Sequence, residues 1–253
     1  MSYIQTIISG IVQGLTEFLP VSSSGHLVML HHYFGIKEPQ LFFDIILHVA
    51  TLFAILVYFR RDIISVFTKE RRLLLFILVG TIPTAIIGLL FKDIFESLFV
   101  HVKFTGLMLF ITANFLFAGD WAAKKQKAES SPPKGLGFRR ALLIGFVQAL
   151  SMAPGISRSG STIATGLLLR LDKKEAVRFS FLLAMPAILG ALLFKLVDAG
   201  GAFTITLPMF VGSFAAFFVG LGAIHVLLKV VYTDKLSYFG LYCLIVGGLI
   251  LGL

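Results

Sequence analysis

Charge is scarce in this sequence. Of 253 residues, 13 are Asp or Glu and 22 are Lys or Arg, so charged residues make up 14%, where a soluble domain carries roughly a quarter. Hydrophobic residues reach 57%. A core of this size cannot bury them all, so lipid must solvate much of the surface, which excludes a water-soluble globular domain. Cysteine is nearly absent as well. Cys243 stands alone, which excludes an internal disulfide and says nothing about redox compartment. No Lys or Arg precedes Lys37, so the basic n-region expected of a cleaved signal peptide is missing. The net charge of 22 − 13 = +9 reads as topology-setting loops and not as a nucleic-acid surface. The basic residues flank apolar runs and form no continuous stripe.

What the sequence does have is a series of long apolar runs, among them 41–59, 73–91, 176–194 and 207–228. Each approaches or exceeds the roughly 20 residues that cross a bilayer core. An internal repeat organises them. At an offset of 135 residues, positions 10–25 align with 145–160 without a gap. Identities fall at Gly10/Gly145, Val12/Val147, Gln13/Gln148, Leu15/Leu150, Ser22/Ser157, Ser24/Ser159 and Gly25/Gly160. Weaker matches continue at nearly the same offset: Val79-Gly80-Thr81 with Val211-Gly212-Ser213, Gly88 with Gly220, and Gly106-Leu107 with Gly240-Leu241.

Each half then has one plan. A short polar-interrupted helical pair (about 2–19 and 23–34; about 139–153 and 160–171) precedes three longer helices (about 41–60, 72–92 and 103–119; about 175–197, 205–230 and 236–252). The expected architecture is an all-α integral membrane protein with an inverted-topology repeat, about six transmembrane helices and two re-entrant helical hairpins. Repeat 1 spans about 1–120, a basic linker about 121–140, and repeat 2 about 141–253. Broken helices at membrane depth are tolerated where protein surrounds them or where they line a wet cavity. Arg60, Arg61, Lys69, Arg71 and Arg72, the basic linker, and Arg170, Lys173, Lys174 and Arg178 mark cytoplasmic loops. The balanced loop from Lys92 to Lys103 can lie outside. Three crossings per half would bring the hairpins in from opposite faces with both termini outside.

The first hairpin carries Gln13 and Glu17 four residues apart on one helical face, then Pro20, Ser22, Ser23, Ser24, Gly25 and His26. Pro20 ends the first helix, and the serines stand where they could cap the next. The second hairpin repeats the device as Pro154-Gly155-Ile156-Ser157-Arg158-Ser159-Gly160, followed by Ser161 and Thr162. Helix N-termini offer free N–H groups to an anion, and the guanidinium of Arg158 suits phosphate oxygens. Glu17 aligns with Met152, Ser23 with Arg158 and His26 with Ser161, so the two loops are equipped as complementary halves of one phosphate-handling site. Serines before a helix are ordinarily only caps, and a histidine beside a turn is ordinarily structural. Acid, hydroxyl, imidazole and guanidinium together inside a membrane segment point to function instead. Asp44 and His48, another i,i+4 pair, read either as side chains that support that site from behind or as a buried structural pair.

The stretch from Gly14 to His26, together with Pro154 to Gly160, resembles the BacA-type undecaprenyl-pyrophosphate phosphatases (bacitracin resistance proteins). The resemblance implies hydrolysis of undecaprenyl pyrophosphate to the monophosphate and inorganic phosphate. That reaction recycles the lipid carrier of cell-wall synthesis and gives bacitracin resistance. It also implies a multi-pass cell-membrane (plasma or inner membrane) protein whose site opens to the outer face, dependence on a divalent metal (Mg2+ or Ca2+), and often a homodimer. By motif position it makes Glu17, Ser23, His26 and Arg158 catalytic, with Ser22, Ser24, Gly25, Ser157, Ser159, Gly160 and Thr162 around the phosphates. Glu17 is the expected metal contact with Gln13 assisting, Gln13 standing at the first position of the family's Glu/Gln-x-x-x-Glu motif. Arg170 stands where many relatives look like having glycine. Ser23, His26 or a metal-bound water could be the nucleophile. A polyprenyl-phosphate flippase is the alternative from another class, because broken inverted repeats also build transporters. The phosphohistidine acid phosphatases are a weaker one, since only Ser24-Gly25-His26 matches them.

Overall fold

The computed structural model describes residues 1–36, 40–198 and 206–252, so Lys37 and the start of the second-half helix expected at 205 lie outside the described residues. The described residues form helices and no strand: α1 (Tyr3–Phe18), α2 (Ser23–Tyr33), α3 (Leu41–Tyr58), α4 (Arg60–Thr68), α5 (Arg71–Leu90), α6 (Lys92–Leu98), α7 (Val102–Ala128), α8 (Phe138–Leu150), α9 (Arg158–Leu168), α10 (Lys173–Asp198), α11 (Leu207–Tyr232) and α12 (Leu236–Gly252). Four of these, α5, α7, α10 and α11, are long and apolar enough to cross a membrane. A fifth span is α3 with α4, if the 73° bend between them is counted within one crossing. α12 is a shorter apolar helix. The basic linker is shorter than its composition suggests. α7 runs unbroken to Ala128, which takes in Lys124, Lys125 and Lys127, and α8 already includes Arg139 and Arg140.

α1 shows how this chain inverts the pattern of a soluble helix. Its apolar stripe of Ile4, Ile8, Ile11 and Leu15 is exposed, while Thr6, Ser9, Gln13, Thr16 and Glu17 are buried. With lipid as solvent, outward-facing apolar groups lose nothing, and the polar groups must find partners inside. The helix therefore turns a small and polar face to its neighbour, α11. Gly10 lies so close to Gly212 that a Cβ there would fall on the Gly212 carbonyl, and Gly14 meets Ala216 and Gly220 in the same way. In the other half, Gly145 of α8 lies against Gly80 of α5 with the same closeness. Gly10 corresponds to Gly145 and Gly212 to Gly80, so one contact is made twice with the halves exchanged. Small residues that let backbones touch are the usual adhesive between helices in lipid.

The repeat also extends to the ends of the hairpins. α2 closes with Gly35 at φ +71° and α9 with Arg170 at φ +63°, and these positions are 135 residues apart. Both helices end in the same pair of bonds: Gly35 N–H to His32 and Ile36 N–H to His31; Arg170 N–H to Leu167 and Leu171 N–H to Gly166. This ending requires a left-handed residue, which glycine adopts freely and arginine does not. That is the physical reason a glycine suits position 170.

Candidate active site

α1 ends at Phe18, just before Pro20, and α8 ends at Leu150, four residues before Pro154 and earlier than the expected 153. In each half the chain then turns through the proline into a tip. The two tips meet. A Cβ on Gly25 would press on Gly155 of the other tip, and one on Gly160 would press on Pro20. Each tip is closed by its own serine. Ser22 Oγ accepts from Gly25 N–H at 3.2 Å and lies 3.3 Å from Ser24 Oγ. Ser157 Oγ accepts from Gly160 N–H at 3.1 Å and lies 3.4 Å from Ser159 Oγ. These are N-caps of α2 and α9, which leave both helix N-termini at the same junction. Ser22 does this from a left-handed backbone (φ +69°), a conformation costly for a residue with a Cβ.

Glu17 is the hub. Its Oε1 accepts from Arg158 Nη2 of the other tip. Its Oε2 accepts from Ser23 Oγ at 2.7 Å and from Gln13 Nε2 at 3.1 Å. A carboxylate can only accept, so Gln13 must turn its amide nitrogen to Glu17, and its Oε1 is left buried without a partner. Arg158 likewise spends one terminal nitrogen on Glu17, while its Nη1 is buried and unpartnered. An ion pair of this depth survives because each charge has the other and hydrogen bonds besides.

The remaining candidates fall into two groups. His48, expected as outer support, touches the hub directly: its Nε2 lies 3.3 Å from Glu17 Oε2. It is not paired with the Asp44 carboxylate. His48 Nδ1 bonds the Asp44 main-chain carbonyl at 2.7 Å, and the carboxylate instead faces His31 at 3.8 Å. His26 is engaged with Ser22 and with Tyr242 of α12, while Ser23 gives its hydrogen to Glu17 and not to the imidazole. Thr162 turns to Ser180 of α10 at 2.6 Å and to the Arg158 carbonyl at 2.7 Å, so its hydroxyl ties α9 into the bundle. Ser157 and Ser159 are almost fully buried at the tip. Thr112 of α7 was not singled out by sequence. Its hydroxyl accepts from Ser157 N–H at 2.9 Å and donates to the Gly155 carbonyl at 2.8 Å, bracing the second tip. A threonine inside an apolar helix is too common to have signalled this.

Among the described residues no group of three or more His, Cys, Asp or Glu side chains could hold a metal ion. The oxygen donors at the hub are Glu17 and the orphaned Gln13 Oε1. That set fits a hard cation that takes one or two protein oxygens and completes its shell with phosphate and water.

The match to known proteins covers almost the whole chain. Residues 6–249 fit the family model described as bacitracin resistance protein BacA. The chain belongs to the BacA family. Its BacA relatives include the undecaprenyl-diphosphatase of Desulfosudis oleivorans, 44% identical over 99% of this chain and 98% of that protein. Those of Carboxydothermus hydrogenoformans (44%; 99% and 97%) and Korarchaeum cryptofilum (39%; 100% of each) carry the same name. Glu17, Ser23 and Arg158, which the sequence resemblance picked out, meet across the two tips.

Proposed function

We propose that this protein hydrolyses undecaprenyl pyrophosphate to undecaprenyl phosphate and inorganic phosphate within the membrane, recycling the lipid carrier for cell-wall synthesis. Family membership and the name shared by its relatives support the substrate. The observation that carries the chemistry is the Ser23–Glu17–Arg158 contact across the two tips.

The Ser23 hydroxyl attacks the terminal phosphorus. A Ser23 O–P bond forms, the bridging P–O bond breaks, and the proton passes to Glu17, which already accepts it as a hydrogen bond. Undecaprenyl phosphate leaves as an anion and needs no proton from an acid. Water then cleaves the phosphoserine: Glu17 returns the proton to the departing Ser23 oxygen, takes one from the water, and passes it to the phosphate that leaves, which restores the carboxylate. Arg158 Nη1 and the N–H groups that open α2 and α9 bind the equatorial oxygens as charge builds on them. Glu17 and Gln13 would hold a divalent cation, which when bound neutralises charge on the pyrophosphate. The prenyl chain lies between helices in contact with lipid.

The membrane arrangement belongs to the same proposal: six spans (α3 with α4, α5, α7, α10, α11, α12), inverted halves, and α1–α2 and α8–α9 as re-entrant hairpins from opposite faces. Contacts at one end of the bundle support it. Arg178 at the start of α10 binds Asp62 of α4 and Glu70 of the α4–α5 turn, Glu175 accepts from Leu136 N–H of the linker, and Lys173 pairs with Asp234 of the α11–α12 turn. These elements gather the basic loops on one side, which is the cytoplasmic one. The α1–α2 hairpin then opens outward, and the site faces the periplasmic side.

Purified protein in detergent should release phosphate from a polyprenyl pyrophosphate, and rapid quenching should trap phosphate on Ser23. Lipid flipping in liposomes with no hydrolysis would sink the enzyme reading. Turnover without a phosphoserine would move the attack to His26 or to water.

A further inference from the structure

We propose that Tyr242, on the last helix, is a positioning residue for His26, its hydroxyl holding the imidazole with Nε2 at the mouth of the site. The proposal rests on the phosphatase reading above and adds to it a part for His26, which the family resemblance counts among the catalytic residues.

Both ring nitrogens of His26 have a partner. Nδ1 lies 2.8 Å from the Ser22 main-chain oxygen. A carbonyl can only accept, so Nδ1 carries the hydrogen, and in the neutral ring Nε2 is left with its lone pair. The Tyr242 hydroxyl stands 2.8 Å from Nε2 and donates to it. The two rings lie almost parallel, 8° between planes and 5.7 Å between centroids. Flipping the imidazole would break both bonds, so the ring is held in one tautomer and one orientation. A catalytic histidine is given the same service when a carboxylate fixes its second nitrogen. Here a backbone carbonyl and a phenol share the task.

Tyr242 is placed for this and not for packing. It remains 42% exposed, and a leucine would serve a lipid-facing position equally well. The next residue, Cys243, is buried with Sγ 3.8 Å from the Pro20 carbonyl, so two consecutive residues of α12 set its register against the first tip. The strained Ser22 backbone gains a reason as well, since its carbonyl accepts both from the His26 N–H (3.2 Å) and from the His26 ring. Nε2 is the nitrogen turned away from the backbone, and the phenol is the only described hydrogen-bond donor on it.

The test uses the full chain in detergent with ring-15N histidine and the His26 signals assigned by their loss in His26→Gln. Tyr242→Phe keeps the stacked ring and removes one hydroxyl. The Nε2 resonance should move to the higher shift of an unbonded imidazole nitrogen while the Nδ1–H signal stays. kcat on a polyprenyl pyrophosphate should fall about ten-fold with KM unchanged, the loss expected for one hydrogen bond. Should Tyr242→Phe misfold, 3,5-difluorotyrosine at position 242 replaces it. This stronger donor of nearly the same shape should shift Nε2 the opposite way. An unmoved His26 resonance overturns the proposal even if activity falls, because the tyrosine would then act through packing. A moved resonance with unchanged kcat also overturns it. Wild-type protein that releases no phosphate would instead strike the phosphatase reading, and the resonance would still decide the tyrosine–histidine bond.

Discussion

Ser22 and Ser157 close their helices with the same bonds to Gly25 and Gly160, yet the residue that follows is Ser23 in one tip and Arg158 in the other. In the first tip that residue donates to Glu17 from 2.7 Å away. In the second it reaches the same carboxylate as a guanidinium. The backbone device is thus duplicated, while the reactive groups are divided: one tip holds acid and hydroxyl, the other the fixed cation. A duplicated capped turn can specialise this way because its cap needs only the serine and the fold of the turn. The side chain after the cap is free to vary.

The sharpest way to break the division is at its cation. Arg158→Ala leaves the Glu17 carboxylate buried without its counter-charge. It should lower kcat/KM by about 10^3-fold or more, with lysine recovering only part, since it lacks the two-nitrogen fork. Steady-state phosphate release from monodisperse protein measures this. The shared part of the two halves should break alike. Gly10→Leu and Gly145→Leu each force apart helices whose backbones touch, and each should cost about 3 kcal/mol in denaturant titrations. A difference of more than about twofold between them would mean that the exchanged contacts are not equivalent.

Smaller effects separate the tips again. Ser22→Gly relieves a left-handed backbone and should stabilise by about 0.5–1 kcal/mol even after losing its cap. Ser157→Gly, at φ −72°, has no strain to relieve and should cost a few tenths of a kcal/mol. Opposite shifts in thermal midpoint would establish that only the first tip is strained. At the hairpin exits, Arg170→Gly should stabilise by about 1 kcal/mol, since the exposed Arg170–Glu129 contact at 3.7 Å contributes little. Gly35→Arg should lose a similar amount.

The smallest effect lies at the end of the bundle where Arg178 meets Glu70. Hydrogen bonds from Arg178 hold the Glu70 carboxyl below its ordinary range. A depressed carboxylate adds stability above its unfolded pKa and loses it as pH falls through the folded value. Arg178→Gln should therefore flatten the acid-side fall in thermal midpoint below about pH 5, and only slightly, because Glu70 is exposed.

Sequence by itself determined the solvent, the repeat and the chemistry on offer. Scarce charge and long apolar runs require lipid, because hydration is unavailable to so much apolar surface. The matched Gly, Gln and Ser positions resist a compositional explanation, and Glu17, Ser23 and Arg158 could be named before any contact was known. Local propensity also placed the first helix break at Pro20, while the second comes at Leu150, ahead of Pro154. Only the tertiary structure decided who meets whom. Neither periodicity nor motif could say that His48 bonds the Asp44 backbone and turns to Glu17, that Asp44 faces His31, or that His26 leans on Tyr242, 216 residues away. Such contacts depend on helices brought together by glycines at van der Waals distance, and packing of that kind leaves no local trace in the residues it joins.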